Sequence, residues 1–407
     1  MKIKGGYTKK ILSIDLNKEK AVLEEVSDDF ALQYVGGRGW GAKLVWDNLK
    51  NNNFNINPLG PENMVVIAPG PLTGLYLPSS GKTSFVSISP ATKIYGDSSM
   101  GGMFGVELRQ AGYDALVLSG SGTANKWSYI WIDDDKIEIR DASKYKGKGC
   151  IETERQIKED LGDEEVRVAT IGPAGENLVK FACINSEWSR NAGRTGIGAV
   201  LGSKKVKAIV VRGSKDIPVY DMDRLVDVSN HAYEILMGHK LIEFWQQQGL
   251  MSVVDYINTA GVMPTHNFKD GYFKDAEKIN GYIMERYKIG DTACFSCPMA
   301  CGNVCLVKDG KYIGTVTEGP EYETACMFGS NVGISDFSAI LRANYLCDEL
   351  GVDTISTGNL IAVVIEGYEN GILSLEDLDG VAIKWGEDEP ILALIEKIAK
   401  REGIGNI

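Results

Sequence analysis

The chain is short of basic charge, of long apolar runs, and of histidine near its cysteines. Its 43 Lys and Arg against 55 Asp and Glu give a formal net charge of −12. That balance argues against nucleic acid as a partner, because phosphate binding needs a basic surface. No uncharged apolar run approaches the roughly 20 residues that span a bilayer, so no membrane span is expected. Met1-Lys-Ile-Lys-Gly-Gly is not followed by an apolar signal segment, and the expected location is cytoplasmic. In that reducing compartment eight cysteines stay free or bind metal, and a disulfide framework is not expected in a chain of this size.

What is present is a cysteine cluster. Cys294, Cys297, Cys301 and Cys305 fall within twelve residues, with two, three and three residues between them. Thiolates at such spacings can converge on one soft-metal centre. Structural zinc favours two Cys/His pairs separated by a longer loop. Here there is a single cluster, and the nearest histidine, His266, is nearly thirty residues upstream. The spacing approaches, without matching, the ferredoxin-type run of two, two and three intervening residues. An iron–sulfur ligand set is the favoured reading, with zinc and no metal as the alternatives. The 47 glycines suggest tight turns or close backbone approach to a bulky ligand.

The first 213 residues read mostly as short strands: Ile11–Leu16, Ala21–Val26, Met64–Ala68, Thr83–Ser89, Ala115–Ser119, Ser128–Ile132, Lys136–Arg140, Val166–Ile171, Leu178–Asn185 and Ala208–Arg212. Only Asp28–Leu49 and Ile151–Leu161 look helical among them, which predicts antiparallel sheets in place of a doubly wound parallel one. After Ile217 helical spacing takes over, in Met222–Met237, Leu241–Tyr256, Tyr322–Gly329, Asp336–Leu350, Thr357–Asn370 and Pro390–Arg401. The expected fold is α+β: a β-rich domain over 1–213, with two mainly antiparallel sheets, then a mainly helical domain over 214–407. No internal repeat is visible in the sequence.

Three glycine-rich stretches lie in the β-rich part. Gly36-Gly-Arg-Gly-Trp-Gly-Ala42 follows a helical segment and lacks the register of a dinucleotide fingerprint. Gly96–Gly105 and Ser189–Gly198 combine freed backbone N–H groups with arginines in the second case, which suits a phosphorylated polar cofactor; ordinary turns are the plainer alternative. Asp348-Glu-Leu-Gly-Val-Asp353 reads either as a helix stop with Gly351 left-handed or as two carboxylates for a ring rich in N–H donors. Glu318-Gly-Pro-Glu-Tyr-Glu323 reads as helix-start acids or as a tyrosine and glutamate for proton transfer.

Together these segments resemble the tungsten-pterin aldehyde:ferredoxin oxidoreductase family. The ordered series also includes Pro69-Gly-Pro-Leu-Thr-Gly74, Ser89–Gly96, Gly101–Asp114, Ile171–Asn177, Gly193–Lys204 and Pro264-Thr-His-Asn-Phe268. The resemblance implies a bis-pterin tungsten (or molybdenum) cofactor on a base of two β-sheets, covered by helical domains. It implies two-electron oxidation of an aldehyde to a carboxylate, or the reverse, with electrons leaving through a [4Fe–4S] cluster to ferredoxin or another electron-transfer protein. Cys294, Cys297 and Cys301 match the first three cluster ligands. Asp348, Gly351, Val352 and Asp353 match the first pterin motif, with Val352 in place of leucine. Tyr322 and Glu323 fall where the family faces substrate. The loops around Lys82, Ser99, Gly101 and Gly102, and Arg190, Ala192, Gly193 and Arg194, match those near the pterin phosphates and their bridging magnesium.

Lys82 stands where an arginine is common and keeps the charge without the bidentate geometry. No Glu-x-x-His is present, so an iron bridge between subunits is unsupported; a homodimer and a place in a multi-subunit complex are both compatible with the resemblance. The family's second pterin motif, fourth cluster cysteine and pocket histidine are expected beyond Ile407. The alternatives are a relative such as an aromatic acyl-CoA reductase subunit, and a non-catalytic iron–sulfur scaffold or electron-transfer subunit whose cluster Cys305 completes.

Overall fold

The computed structural model describes residues 2–122 and 126–406; Met1 and Ile407, the outer ends of the two expected domains, lie outside them. The chain divides into two compact units. One comprises Met1–Ile235 with Cys294–Pro298, the other Leu236–Ala293 with Met299–Ile407. The first half of the cysteine run therefore belongs to the β-rich unit.

In the first unit the elements run β1 (Lys10–Asp15), β2 (Lys20–Glu25), α1 (Asp28–Tyr34), α2 (Arg38–Asn51), β3 (Val65–Pro69), β4 (Thr83–Ile88), β5 (Tyr95–Met100), α3 (Phe104–Gln110) and β6 (Ala115–Ser119). They continue with β7 (Ser128–Asp133), β8 (Lys136–Asp141), α4 (Cys150–Leu161), β9 (Arg167–Thr170), α5 (Pro173–Glu176), β10 (Ile184–Ser186), β11 (Arg190–Ala192), α6 (Ile197–Ser203) and β12 (Val206–Arg212). Helix α7 (Met222–Met237) runs across the division between the units.

The strands form two six-stranded sheets, ordered β2-β1-β6-β3-β4-β5 and β8-β7-β12-β9-β10-β11. Each has one parallel pair, β1 with β6 and β7 with β12, and is otherwise antiparallel. The expected α+β class with mainly antiparallel sheets is what forms. The two orders are the same topology used twice, with β7–β12 repeating β1–β6 strand for strand. The sequence conceals this repeat. Its traces are a Gly-Pro soon after β3 and after β9 (Gly70-Pro71, Gly172-Pro173) and glycines after β5 and β11.

Packing explains why short strands suffice. Strands β3 and β4 are buried along their whole length. Leu12, Ile67, Phe85 and Leu116 of the first sheet share one core with Ile130, Val168, Ile209 and Val211 of the second. The other face of the first sheet packs on Trp40 and Val45 of α2. Each such side chain contributes about 1.5–3 kcal/mol on full burial.

Four expectations change. Beside the two helices expected in the first 213 residues, α3, α5 and α6 form. The helix expected over Asp28–Leu49 is two, broken where Val35, Gly36 and Gly37 all take positive φ. The strand expected over Leu178–Asn185 survives only as Ile184–Ser186, because Leu178 turns left-handed at φ 60°. Strands β5 and β11 were hidden in glycine- and serine-rich sequence that offers no β-branched run.

The second unit holds α8 (Ile242–Gln248), α9 (Val254–Thr259), α10 (Gly281–Tyr287), α11 (Tyr322–Ala325), α12 (Phe337–Leu350), α13 (Thr354–Glu369) and α14 (Asp388–Lys400). It also holds a small antiparallel sheet of β13 (Lys288–Thr292), β14 (Gly302–Leu306) and β15 (Val316–Glu318), which the sequence reading did not anticipate. The expected helix over Leu241–Tyr256 is interrupted at Gly249, φ 55°. Asp336 caps α12 as expected, accepting from the Ser338 N–H at 2.9 Å. Among the described residues no helix is long and apolar enough to cross a membrane.

Candidate cofactor and cluster site

In the first unit the cysteine turn sits on the loops that leave the first sheet. The Phe295 N–H reaches the Gly102 carbonyl at 3.4 Å, and the Cys297 N–H reaches the Cys294 carbonyl at 3.1 Å. Ser79 Oγ and Cys297 Sγ lie 3.3 Å apart. From α7, the Tyr233 hydroxyl contacts the Ser296 carbonyl at 2.7 Å and its Oγ at 2.6 Å. Gly101 lets the thiol approach: a Cβ would stand 2.5 Å from Cys294 Sγ, and Lys82 Nζ is 3.8 Å from the same point. A buried backbone, a lysine ammonium and a thiol thus meet around one residue. Lys82 and Ser99 are exposed, on the approach to β4 and on β5, while Gly101 and Gly102 are buried.

Glu187, which the sequence reading overlooked, pins this loop. Its carboxylate accepts the Met103 N–H at 2.5 Å and occupies the space a Gly102 Cβ would need. Burial raises its pKa. Tyr233 and Ser79 were likewise missed, having no motif of their own. The sister hairpin carries Arg190 and Ala192 on β11, which packs beside β5, followed by Gly193 and the exposed Arg194. Gly96 makes that approach possible, since a Cβ there would meet Thr195 Cβ at 2.9 Å.

In the second unit Cys301 is half-buried and its carbonyl accepts from Asn303 Nδ2 at 3.0 Å. Cys305 is different: it is enclosed in β14, opposite Lys288 and Thr317. Burial pushes its thiol up to about 12, the reverse of what a thiolate ligand needs. Among the described residues no group of three or more His, Cys, Asp or Glu side chains stands ready as a metal site.

Tyr322 and Glu323 open α11, both half-buried. Burial, then the neighbouring Cys326 thiol that it hydrogen-bonds, drives the Tyr322 phenol well above its ordinary value. The helix continues as a π-turn over Cys326–Ser330, a distortion found disproportionately at functional sites. The Asp348–Asp353 segment makes the helix stop: Gly351 takes φ 72°, and the Gly351 and Val352 N–H groups both reach the Cys347 carbonyl. Asp353 then caps α13, accepting the Ser356 N–H at 2.9 Å. Buried Asp348 accepts from Asn344 Nδ2 at 3.1 Å.

The twin-sheet base carries a thiol-bearing turn on its loops. The solved active-site complex BamBC of benzoyl coenzyme A reductase, in complex with 1,5-dienoyl-CoA, shares the architecture with a TM-score of 0.86 and 29% identity, covering 99% of this chain and 62% of that one. Residues 11–213 match the aldehyde ferredoxin oxidoreductase N-terminal domain, and residues 227–407 match domains 2 and 3 of the same family. The chain belongs to the aldehyde ferredoxin oxidoreductase family. It is 42% identical to a tungsten-containing aldehyde ferredoxin oxidoreductase of Pyrococcus furiosus, over 98% of this chain and 65% of that protein. It is 41% identical to the protein of that name from Pyrococcus horikoshii, over 99% and 66%. An aliphatic sulfonate oxidoreductase WOR-like subunit of Pyrococcus furiosus is 34% identical over 99% and 66%. The chain thus spans about two thirds of the length of these curated relatives.

Proposed function

We propose that the chain is the cofactor-binding part of a tungsten (or molybdenum) bis-pterin oxidoreductase that interconverts aldehydes and carboxylic acids, passing electrons through a [4Fe–4S] cluster to ferredoxin or another electron-transfer protein. The observation that carries it is the Cys294–Cys297 turn seated where Lys82 and Gly101 flank the open end of the β4–β5 hairpin. The residues fit the groups. Half-buried Cys294, Cys297 and Cys301 supply soft sulfur donors. The N–H groups around Gly101 and Gly102, with Lys82, and Arg190 to Arg194 on the sister hairpin, suit pterin phosphates and their magnesium. Asp348 and Asp353, at the turn shaped by Gly351 and Val352, would hold the pterin through their carboxylates. The bound pterin metal would supply the two-electron chemistry.

The chain's own part is binding and proton handling. Tyr322, held protonated by burial, donates a hydrogen bond to the substrate oxygen. Glu323, the second residue of α11 and half-buried, takes one of the two protons released, with two electrons, as aldehyde and water become acid. The working place is the cytoplasm. A second reading, reduction of an aromatic acyl-CoA, draws on the likeness to the benzoyl coenzyme A reductase complex.

Metal analysis of anaerobically prepared protein tests the reading. Tungsten with about four irons per chain is the expected result. Iron without tungsten or pterin would favour an electron-transfer scaffold, and zinc alone would remove both. Turnover of benzoyl-CoA with no turnover of aldehydes would favour the second reading.

A further inference from the structure

Pro264-Thr-His-Asn-Phe268 has no task in the function proposed above, yet its backbone is unusual. His266, Asn267 and Phe268 take φ of 47°, 54° and 62° in succession. Among the described residues no other three consecutive non-glycine residues do so. The left-handed region is unfavourable for L-residues, and less so for Asn and His than for Phe. Such a run persists only where its surroundings over-determine it.

The π-turn over Cys326–Ser330 supplies those surroundings. A strand would turn successive N–H groups to opposite sides, whereas a helical run of either hand turns them the same way. The His266 N–H therefore reaches the Ser330 carbonyl and the Asn267 N–H the Asn331 carbonyl, each at 3.1 Å. Carbonyls at a helix end are short of donors, and here two amides arrive together. Ser330 Oγ donates back to the Pro264 carbonyl at 2.6 Å, and Cys326 Sγ lies 4.0 Å from the same oxygen. The segment is closed on itself by Thr265 and Asp270, whose N–H groups donate to each other's carbonyls at 3.1 and 3.2 Å. The Asn267 side-chain amide donates to Glu366 of α13.

Within the turn the Asn331 N–H donates to the Cys326 carbonyl, five residues back, at 2.8 Å. That is one residue more than an α-turn holds, so relaxation to the α register would rotate whatever precedes it by about 100°. What precedes it without a break is α11, which opens with Tyr322 and Glu323. We propose that Pro264–Phe268 is a positioning clamp: the paired amides of left-handed His266 and Asn267 hold the turn in its π register and so aim Tyr322 and Glu323. That role rests on Tyr322 and Glu323 being the proton-handling pair, whereas the clamp stands on its own hydrogen bonds.

Alkylation of the buried Cys326 thiol in the full chain, read by mass spectrometry, tests the clamp, because reagent reaches a buried thiol only through local opening. Cys347, buried in α12, is the internal control, since a general loss of stability exposes both. Asn267→Val puts a β-branched residue at a positive φ and is expected to raise Cys326 labelling about tenfold with Cys347 unchanged. Asn267→Gly lacks the amide but keeps the angle, and is expected to label like wild type. Should Asn267→Val fail to fold, Ser330→Ala, which removes the bond to the Pro264 carbonyl without touching a backbone angle, is expected to show the same selective rise. Unchanged Cys326 labelling, a parallel rise at Cys347, or Asn267→Gly as damaging as Asn267→Val overturns the clamp. In the loaded enzyme kcat of Asn267→Val is expected to fall with that of Tyr322→Phe, at unchanged KM. A Tyr322→Phe enzyme with wild-type kcat overturns the reading of that tyrosine, and the positioning role with it, while the labelling contrast stays intact.

Discussion

The two halves of the twin-sheet unit share a topology and spend their equivalent loops differently. In the first half the segment after β5 opens onto the cysteine turn, with Gly101 against Cys294 and Gly102 against Phe295. In the second half the segment after β11 closes on its own chain. A Cβ on Gly196 would lie 1.9 Å from the Lys180 carbonyl oxygen, and one on Gly202 1.8 Å from that of Gly175. One copy's glycines admit a neighbour that carries chemistry; the other's admit the packing of α6 and its start against α5 and the turn that follows it. A repeated scaffold therefore does not repeat its site, and the same residue type after the same strand has two distinct physical jobs.

The largest effects should come from the buried ion pair that each half contains. In the first, Arg109 pairs with Asp114, both almost fully enclosed, and Asp114 also accepts the Thr8 and Lys9 N–H groups at 3.1 and 2.7 Å. In the second, Lys207 meets Glu176 at 2.6 Å, and Glu176 accepts the Gly147 N–H at 2.9 Å. Removing one partner strands a buried charge and costs about 3–5 kcal/mol. Asp114→Ala is expected to exceed Glu176→Ala in a urea titration, because two further backbone donors lose their acceptor. Equal losses would show that the halves are closer energetically than their contacts suggest.

The glycines come next. Gly196→Ala combines a left-handed φ of 75° with a backbone clash, so a loss of about 2 kcal/mol or more is expected. Gly101→Ala meets only the sulfur of Cys294, and its stability should stay within about 1 kcal/mol of wild type. Its signature is instead a changed rate of thiol labelling at Cys294, read by mass spectrometry. If Gly101→Ala unfolds the protein as readily as Gly196→Ala, the division of labour between the halves is wrong.

The sequence discloses this arrangement unevenly. Strands with β-branched runs, such as Val65–Pro69, and the caps at Asp336 and Gly351 are legible because local chemistry decides them. The duplication is not, since the equivalent residues keep only backbone permissiveness: the paired positions after β3 and β9 share Gly-Pro, and little else. Strand β5 escapes notice because Gly96-Asp-Ser-Ser is held as strand by pairing with β4, not by propensity. The cysteine run shows the converse limit. Spacing groups four thiols, whereas burial separates Cys305, locked in β14, from the half-buried three. A tertiary environment of that kind has no signature in the spacing of residues.

The pH-dependent effect concerns the two helix C-caps. Helix α3 ends at Ala111 and its counterpart α6 at Lys204. The lysine, wholly buried, reaches from the second half to the first, donating to the Asn63 and Gly120 carbonyls at 2.6 and 2.8 Å. Burial lowers its pKa from 10.5 to about 8. With the folded value below the unfolded one, the unfolded chain binds more protons between those limits, so stability from this group must rise as pH climbs from 8 toward 10.5 and level off above. The unfolding free energy of wild type minus that of Lys204→Met cancels most other titrations. It is expected to increase across this window by up to about 3 kcal/mol, because the neutral amine keeps both hydrogen bonds without the desolvation cost of the ammonium. A flat difference would mean that the tie between the halves carries its charge at no cost, and that Lys204 and Ala111 are equivalent caps after all.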